Sequence, residues 1–348
     1  MVDDLSTAGA SCHVTCPLER NVVLRVNRPI SSPGFSLVLV FIVAVGCASA
    51  ASPGAQPQPK DRGDVSGHWV TFEGLTDVEA AACGSNDVFL LREGGRVSRC
   101  QTAGFEPIDW RGDCRQIAAD GNLCYVLKTN GSVWQWKETE YREILGGRAV
   151  MMSASRDTLH VLLEDGSVSR YRPSSGWASV PGGPETVFIS SNSRGLVATG
   201  KNGKVFRFSE EDHSWRVIYD RSDAKMAAGD EGKAFILTRA GSVWLDETGL
   251  EQVDSGSDTD RIFCLGFALY ALKKNGEVWT FDVNHERALR KVYAGRAPRD
   301  LAVFRDEHLI LHHHLFVVEG DGTLLQDNFG IHGSSAWGRM DRFEALQK

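Results

Sequence analysis

Cysteines, histidines, acids and tryptophans are the side chains of this sequence from which chemistry could be built, and their spacing decides what kind. Thiols can cross-link, ligate zinc or act as nucleophiles. No Cys-x-x-Cys pair occurs among the eight cysteines, so the spacing of a zinc site is missing. Cys83, Cys100, Cys114 and Cys124 fall within 42 residues, close enough for cross-linking in an exported chain. Cys114 and Cys124 belong to adjacent β-segments, and Cys100 could reach Cys114 across an outer turn. These three are the disulfide candidates, whereas Cys83 and Cys264 sit at small, crowded positions and read as packing thiols. His312-His313-His314, with His308 nearby, could ligate a metal. Neighbouring residues of a strand point to opposite faces, so the run reads as a solvated turn instead. Glu210-Glu211-Asp212 and the acids between Asp254 and Asp260 fall in loop-like stretches. No G-x-S-x-G, H-E-x-x-H or phosphate-cradling glycine loop is present. The expectation is a protein with no catalytic residues, no metal and no cofactor.

Tryptophan faces can stack on sugars or anchor a protein partner. Most of the large rings here alternate along apolar segments, as Trp134 with Trp136 and Trp279 with Phe281 do, and read as packing. Trp177 and Trp215 lie beside turn-like or charged residues and are the candidate ligand-binding pair.

The segments that must position these residues repeat. Cys124 to Trp136 reads as a β-hairpin: an apolar run, Asn130-Gly131, then Val133 and two tryptophans. Equivalent turn glycines stand at Gly95, Gly131, Gly166, Gly203, Gly241, Gly276 and Gly322, spaced 36, 35, 37, 38, 35 and 46 residues apart. Two residues later comes Val97, Val133, Val168, Val205, Val243, Val278 or Leu324. Five of the glycines follow Asn or Asp, which points to type I′ turns. Six residues before each glycine stands Phe89, Tyr125, His160, Val197, Phe235, Tyr270 or Phe316, within a nearly continuous apolar run. Such runs mark strands buried on both faces.

Earlier in each unit comes a small pair such as Ala118-Ala119 or Ser190-Ser191, as crowding around a central axis demands. A fourth element precedes it: a bulky residue, two variable ones, then an aliphatic, as in Tyr141-Arg-Glu-Ile144 and Trp177-Ala-Ser-Val180. From Trp69, the first copy, to Leu289, its distance to the next turn glycine is 26, 26, 25, 26, 26, 26 and then 33 residues, the last reflecting an insertion around Arg305 to His314. Four strands per unit, seven times over, predict an all-β, seven-bladed β-propeller of four-stranded blades. The strand near Trp69 is expected to join the last blade and close the ring. Trp337-Gly-Arg-Met340 is an eighth copy of the fourth element.

The unit, bulky-x-x-Ile/Val, small pair, apolar strand, then Asn/Asp-Gly-x-Val-Trp/Phe, resembles the tectonin repeat from Trp69 to about Met340. It lacks the Gly-Gln-Leu-Gly segment of regulator-of-chromosome-condensation repeats. The resemblance implies a recognition scaffold, often a lectin that binds glycans or lipopolysaccharide. Phe105, Tyr141, Leu250 and Leu289 replace the leading tryptophan, which speaks against equivalent sites in every blade.

Upstream, no charged residue occurs between Arg28 and Lys60, and Phe35 to Val45 is an apolar run behind Arg20, Arg25 and Arg28. That is the layout of an export signal, and too short for a membrane span of roughly 20 apolar residues. The run ends in Ala44-Val45-Gly46-Cys47, which resembles a bacterial lipobox and makes Cys47 the lipid-attachment candidate; a cut after Ala48-Ser49-Ala50 is the other reading. The expected organisation is a targeting segment over 1–50, a Pro- and Gly-containing linker over 51–66 and the propeller over 67–345. With a formal net charge of −7 and no basic patch, nucleic acid is not an expected partner. The expected function is a non-catalytic scaffold of the bacterial cell envelope, membrane-anchored through lipid or else secreted. Its partner is an envelope protein or, alternatively, a glycan.

Overall fold

The computed structural model describes residues 69–327, apart from 73–74, 85–86, 102–103, 193–194, 231, 285–286, 296 and 306–312. Cys47, the targeting and linker segments, His308, His312 and the Trp337 copy lie outside the described residues. All regular structure within them is β-strand, arranged as seven antiparallel sheets of four. Each sheet is one blade with its strands in chain order from the inside outward. Blade 2, for example, runs Cys114–Asp120, Leu123–Lys128, Val133–Lys137, Glu140–Leu145. Blade 7 alone is composite. Its first three strands are Asp300–Arg305, His313–Val318 and Leu324–Asp327, and its outermost is Trp69–Thr71, with Trp69 opposite Asp327. The first described strand therefore closes the ring, as the repeat pattern predicts.

The apolar core is divided into seven clusters, each between two consecutive blades. One joins Tyr125, Leu127 and Val133 of blade 2 to Met152, Leu159 and Val161 of blade 3. Its counterpart on the other side joins Cys124, Val126 and Trp136 of blade 2 to Phe89, Leu91 and Val97 of blade 1. Alternate residues of one strand thus face opposite neighbours, which is why the second strand of each blade reads as an unbroken apolar run. The ring closes by the same contact: Phe316 and Val318 of blade 7 pack with Val78, Ala81 and Leu90 of blade 1. A blade taken alone would expose both faces, so the blades are stable only as a set.

The turns are tied to these interfaces. The carbonyl of Gly131 accepts from Ala149 N of the next blade at 3.0 Å. Gly95, Gly166 and Gly203 do the same toward Cys114, Thr186 and Ala224, and Gly322 toward Val78 of blade 1. The approach is close: a Cβ on Gly131 would lie 2.7 Å from Arg148 N. The turns also differ from the type I′ expectation. Asn130, Asp165, Asn202, Asn275 and Asp321 do not have positive φ; only the following glycine does. The Asn or Asp is there for its side chain, whose Oδ1 accepts from the amide two residues on, at 2.9 Å in Asn130 to Ser132 and likewise in the other four. Ala240 lacks that oxygen, and in its blade Thr238 Oγ1 accepts from Ser242 N at 3.1 Å instead. Only Gly94-Gly95 has positive φ at both positions.

These observations separate two reasons for a turn glycine. Gly94 has φ +76° with nothing within 4 Å of a built Cβ, whereas Gly131 has φ +79° and meets the next blade. Gly94→Ala is expected to cost about 1 kcal/mol, the left-handed penalty alone. Gly131→Ala is expected to cost about 3 kcal/mol or more, because a blade interface must open. Urea unfolding of the two variants measures the difference, and equal losses would refute the latch.

Candidate functional site

The end of the ring that carries the glycine turns also carries the loops crossing from each outer strand to the next inner strand. On this turn face the inner strands share a distortion. Six of the seven have a β-bulge at the second residue, which leaves Glu79, Arg115, Val150, Val187, Lys225 and Asp260 without a partner across the sheet. A bulge re-aims a side chain, and Val150 and Val187 stand 40% and 51% exposed. Blade 7 has no bulge there, and Leu301 is buried. Lys225 and Asp260 pair at 2.8 Å across adjacent blades. Glu79, Arg115 and Leu301 line a hollow of about 340 Å³ with Arg261, Arg299 and Asp300.

One crossing loop on this face is held by a buried charge cluster. Lys128, 2% exposed at the end of the second strand of blade 2, donates to Asp109 Oδ2 at 2.5 Å and Asp113 Oδ1 at 2.6 Å. The Tyr141 hydroxyl donates to Asp109 Oδ2 at 2.5 Å, and Asp109 Oδ1 accepts from Arg111 N at 2.9 Å. Burial pushes the Asp109 carboxyl up, but the bonds from Lys128 and Tyr141 outweigh it and hold the group below the ordinary carboxylate range. Burial likewise works against the Lys128 ammonium, which its two carboxylates nevertheless hold above the usual lysine value. Asp109, Asp113 and Cys114 bring three ligand atoms within 4.8 Å of one another, but the ammonium sits on the two carboxylates a cation would use.

Between the two stapled aspartates stands Trp110, 77% exposed. The same staple recurs between blades 5 and 6: Lys273 binds Asp254 at 2.5 Å and Asp258 at 2.8 Å. That loop carries Ser255-Gly256-Ser257 and no aromatic. The indole is therefore no requirement of the staple. Of the eight described tryptophans, the other seven pack in the clusters between blades. Trp177 and Trp215, expected as an exposed pair, are among those seven. Each clamps the preceding blade and donates its indole N–H to a backbone carbonyl there, Trp177 to Ile144 O at 2.6 Å and Trp215 to Pro181 O at 2.9 Å. The tryptophan that leads the fourth element in blades 3 and 4 is explained by this clamp, whereas Phe105 and Leu250 at the same place stand 38% exposed. Trp110 was missed because it lies between repeats, although its setting, Asp-Trp-Arg-Gly-Asp, has the polarity of an exposed turn.

Cys100, Cys114 and Cys124 are buried free thiols. Strand register accounts for the Cys114 and Cys124 pair. Cys114 faces Lys128, four residues beyond Cys124 on the partner strand, which separates the two along the sheet by about 13 Å. Burial pushes the thiols of Cys100 and Cys114 up to about 12, so they are poor nucleophiles. One histidine outside the 312–314 run is deeply placed. His160 stands where five other blades carry Phe or Tyr and blade 4 carries Val197; it is 2% exposed, with Nδ1 2.9 Å from Ser191 Oγ. Ser191 Oγ in turn donates to Ser153 O at 2.7 Å, so the imidazole nitrogen is the donor. Burial, with Arg170 and Arg172 adding to it, pushes this imidazole down to about 3 and keeps it neutral.

Neither a protein-family model nor a curated protein matches the sequence. Solved propellers match in fold. PorZ, an essential bacterial surface component of the type-IX secretion system of Porphyromonas gingivalis, aligns with TM-score 0.57 and 12% identity over 74% of this chain and 37% of its own. Prp20p of Saccharomyces cerevisiae, described with its binding to Gsp1p and histones, aligns with TM-score 0.55 and 11% identity over 76% and 85%. YCF48 of Cyanidioschyzon merolae aligns with TM-score 0.57 and 14% identity over 74% and 98%, and a YCF48 structure bound to a D1 peptide matches as well. At these identities the likeness establishes the seven-bladed architecture.

The staple can be tested directly. Lys128→Met leaves a buried carboxylate unpaired and is expected to lower stability by about 3–5 kcal/mol. Lys128→Met combined with Asp109→Asn removes that charge and is expected to recover part of the loss. Chemical denaturation of both variants checks the order; a double variant no more stable than the single one would count against a paired charge.

Proposed function

We propose that this propeller is a non-catalytic binding scaffold whose turn face docks a protein partner in the bacterial cell envelope. One observation carries the reading: a rigidly stapled loop presents Trp110 to solvent, while the matching staple at Lys273 holds its loop without any aromatic. Large, rigid aromatic side chains are the usual anchors of protein interfaces. Val150 and Val187 add apolar surface on the same face. The fold supports the reading by analogy, since Prp20p binds Gsp1p and YCF48 has been seen with a bound peptide.

A tectonin-like lectin would repeat exposed aromatic groups around the ring. Seven of the eight described tryptophans are instead committed to blade packing, which favours a protein over a glycan. The envelope address rests on the apolar run at Phe35 to Val45 and on Cys47, the proposed site of a lipid tether.

Capture from detergent-solubilised membranes, read by mass spectrometry, tests the docking reading. Trp110→Ala with Val187→Asp is expected to reduce recovery of the partner at least tenfold, the loss of about 1.4 kcal/mol or more that a buried anchor supplies. Lys137→Glu, at the opposite end of blade 2, is expected to leave recovery unchanged. Equal capture by all three proteins would place the interface elsewhere. The N-terminal peptide in the same spectra reports the tether: a lipidated Cys47 is expected, and an unmodified N-terminus at Ala51 would remove it.

A further inference from the structure

Arg115 and Arg299 are cations of the turn face without a carboxylate. Arg115 stands on the bulge of blade 2 and donates through a terminal nitrogen to Ala149 O at 2.7 Å. Arg299 precedes the inner strand of blade 7 and donates to Gly320 O through Nε, at 3.0 Å, and through a terminal nitrogen. Among the described residues neither forms an ion pair. Both guanidinium groups are thus anchored through backbone carbonyls while their charge stays uncompensated. Arg261 joins them on the wall of the same hollow, with one nitrogen on Arg299 O at 2.5 Å and another on Asp300 Oδ1 at 2.9 Å. Asp300 is thereby occupied. Glu79, on the rim, forms no ion pair with any of the three arginines.

Three arginines against two acids line this hollow and give it a positive bias in a chain whose formal net charge is −7. Guanidinium groups fixed in advance bind carboxylates with little further loss of freedom, and their planar forks suit two-point contact. A concave site intensifies their field.

We propose that the hollow between blades 6, 7, 1 and 2 receives an acidic segment of the protein partner, with Arg115 and Arg299 binding its carboxylates. This rests on the docking reading above and adds the chemistry of what is docked. The segment's carboxylates would take up the donors that Arg115 and Arg299 do not commit to backbone carbonyls. Glu79 would limit how many negative charges enter, and the contact would weaken with rising salt, as any exposed charge pairing must.

Fluorescence anisotropy with a labelled hexaglutamate peptide, at low salt and on the folded propeller, tests it. Wild type is expected to bind saturably, with Arg115→Glu and Arg299→Glu each weakening binding at least about tenfold. Because either change could loosen the turn-face contacts, Glu79→Lys supplies the converse arm. It disrupts no ion pair and is expected to tighten binding severalfold. Lys137→Glu, equal in charge change but at the other end of the ring, is expected to have no more than a twofold effect. Absence of saturable binding to wild type, equal weakening by Lys137→Glu, or no gain in Glu79→Lys would overturn the proposal. So would binding of a single-stranded oligonucleotide of equal length as tightly and with the same sensitivities, which would assign the hollow to phosphates. The peptide assay is separate from membrane capture: a partner recovered equally by wild type and Arg115→Glu defeats the acidic-segment inference and leaves docking standing, whereas no recovery by wild type defeats docking.

Discussion

The contact between a turn glycine and the next inner strand is the constraint on which the ring depends. Gly131 shows it most plainly: its carbonyl takes the first amide of blade 3, and its missing side chain lets Arg148 N approach to where a Cβ would stand. At five of the seven junctions the bond fixes how far one blade is rotated against the next, and the apolar clusters form within that spacing. Since the clusters lie between blades, the stabilising free energy belongs to pairs of neighbours. A ring needs every pair, the last included. Gly322 makes the same bond to Val78, and the short strand Trp69–Thr71 completes blade 7 from the far end of the chain. Closure thereby covers the two apolar blade faces that an open array would leave exposed.

With cohesion assigned to interfaces and turns, the two ends of the ring are free to differ from blade to blade. Blade 3 shows the tolerance. His160 replaces the aromatic that five other blades press into their neighbour, and the lost apolar contact is replaced by bonds through Ser191 to Ser153. The staples at Lys128 and Lys273 show the same freedom on the turn face. Each closes a five-residue loop with one ammonium and two carboxylates, and what lies between the aspartates is left to vary.

Most of the architecture was legible because propeller geometry imposes a period. The two-sided apolar strand reflects a contact made once per blade, and the glycine spacing and the bulky residue of the fourth element reflect contacts made in most blades. What the sequence concealed arises where residue type and local reason diverge. Asn130-Gly131 has the composition of a type I′ turn, yet the asparagine serves through its side-chain oxygen. Trp177 and Trp215 have polar neighbours in sequence, yet their rings lie across the preceding blade, a relation no local window contains. Cys114 and Cys124 lie on paired strands, but pairing does not make them opposite, and register decides. The Lys128 staple did leave a trace. Asp109, Asp113 and Lys128 are separated by 4 and 15 residues, as are Asp254, Asp258 and Lys273. Found in two units of seven, such a spacing is invisible to a search for what all units share.

That asymmetry bears on the kind of ligand the turn face suits. A small ligand bound once per blade needs equivalent positions to keep equivalent side chains. The bulged positions around the channel do the opposite, running acid, base, valine, valine, base, acid from Glu79 to Asp260. Lys225 and Asp260 neutralise each other across blades 5 and 6, Val150 and Val187 give blades 3 and 4 an apolar lip, and Arg115 is left unpaired in blade 2. A surface with a neutral side, an apolar side and a cationic side has no rotational symmetry to offer a repeated ligand. It can fix the orientation of one asymmetric molecule, since turning that molecule by a single blade would set a carboxylate against valine. Bulges shared by six blades supply the outward aim, and the residue chosen at each supplies the direction in which a partner must sit.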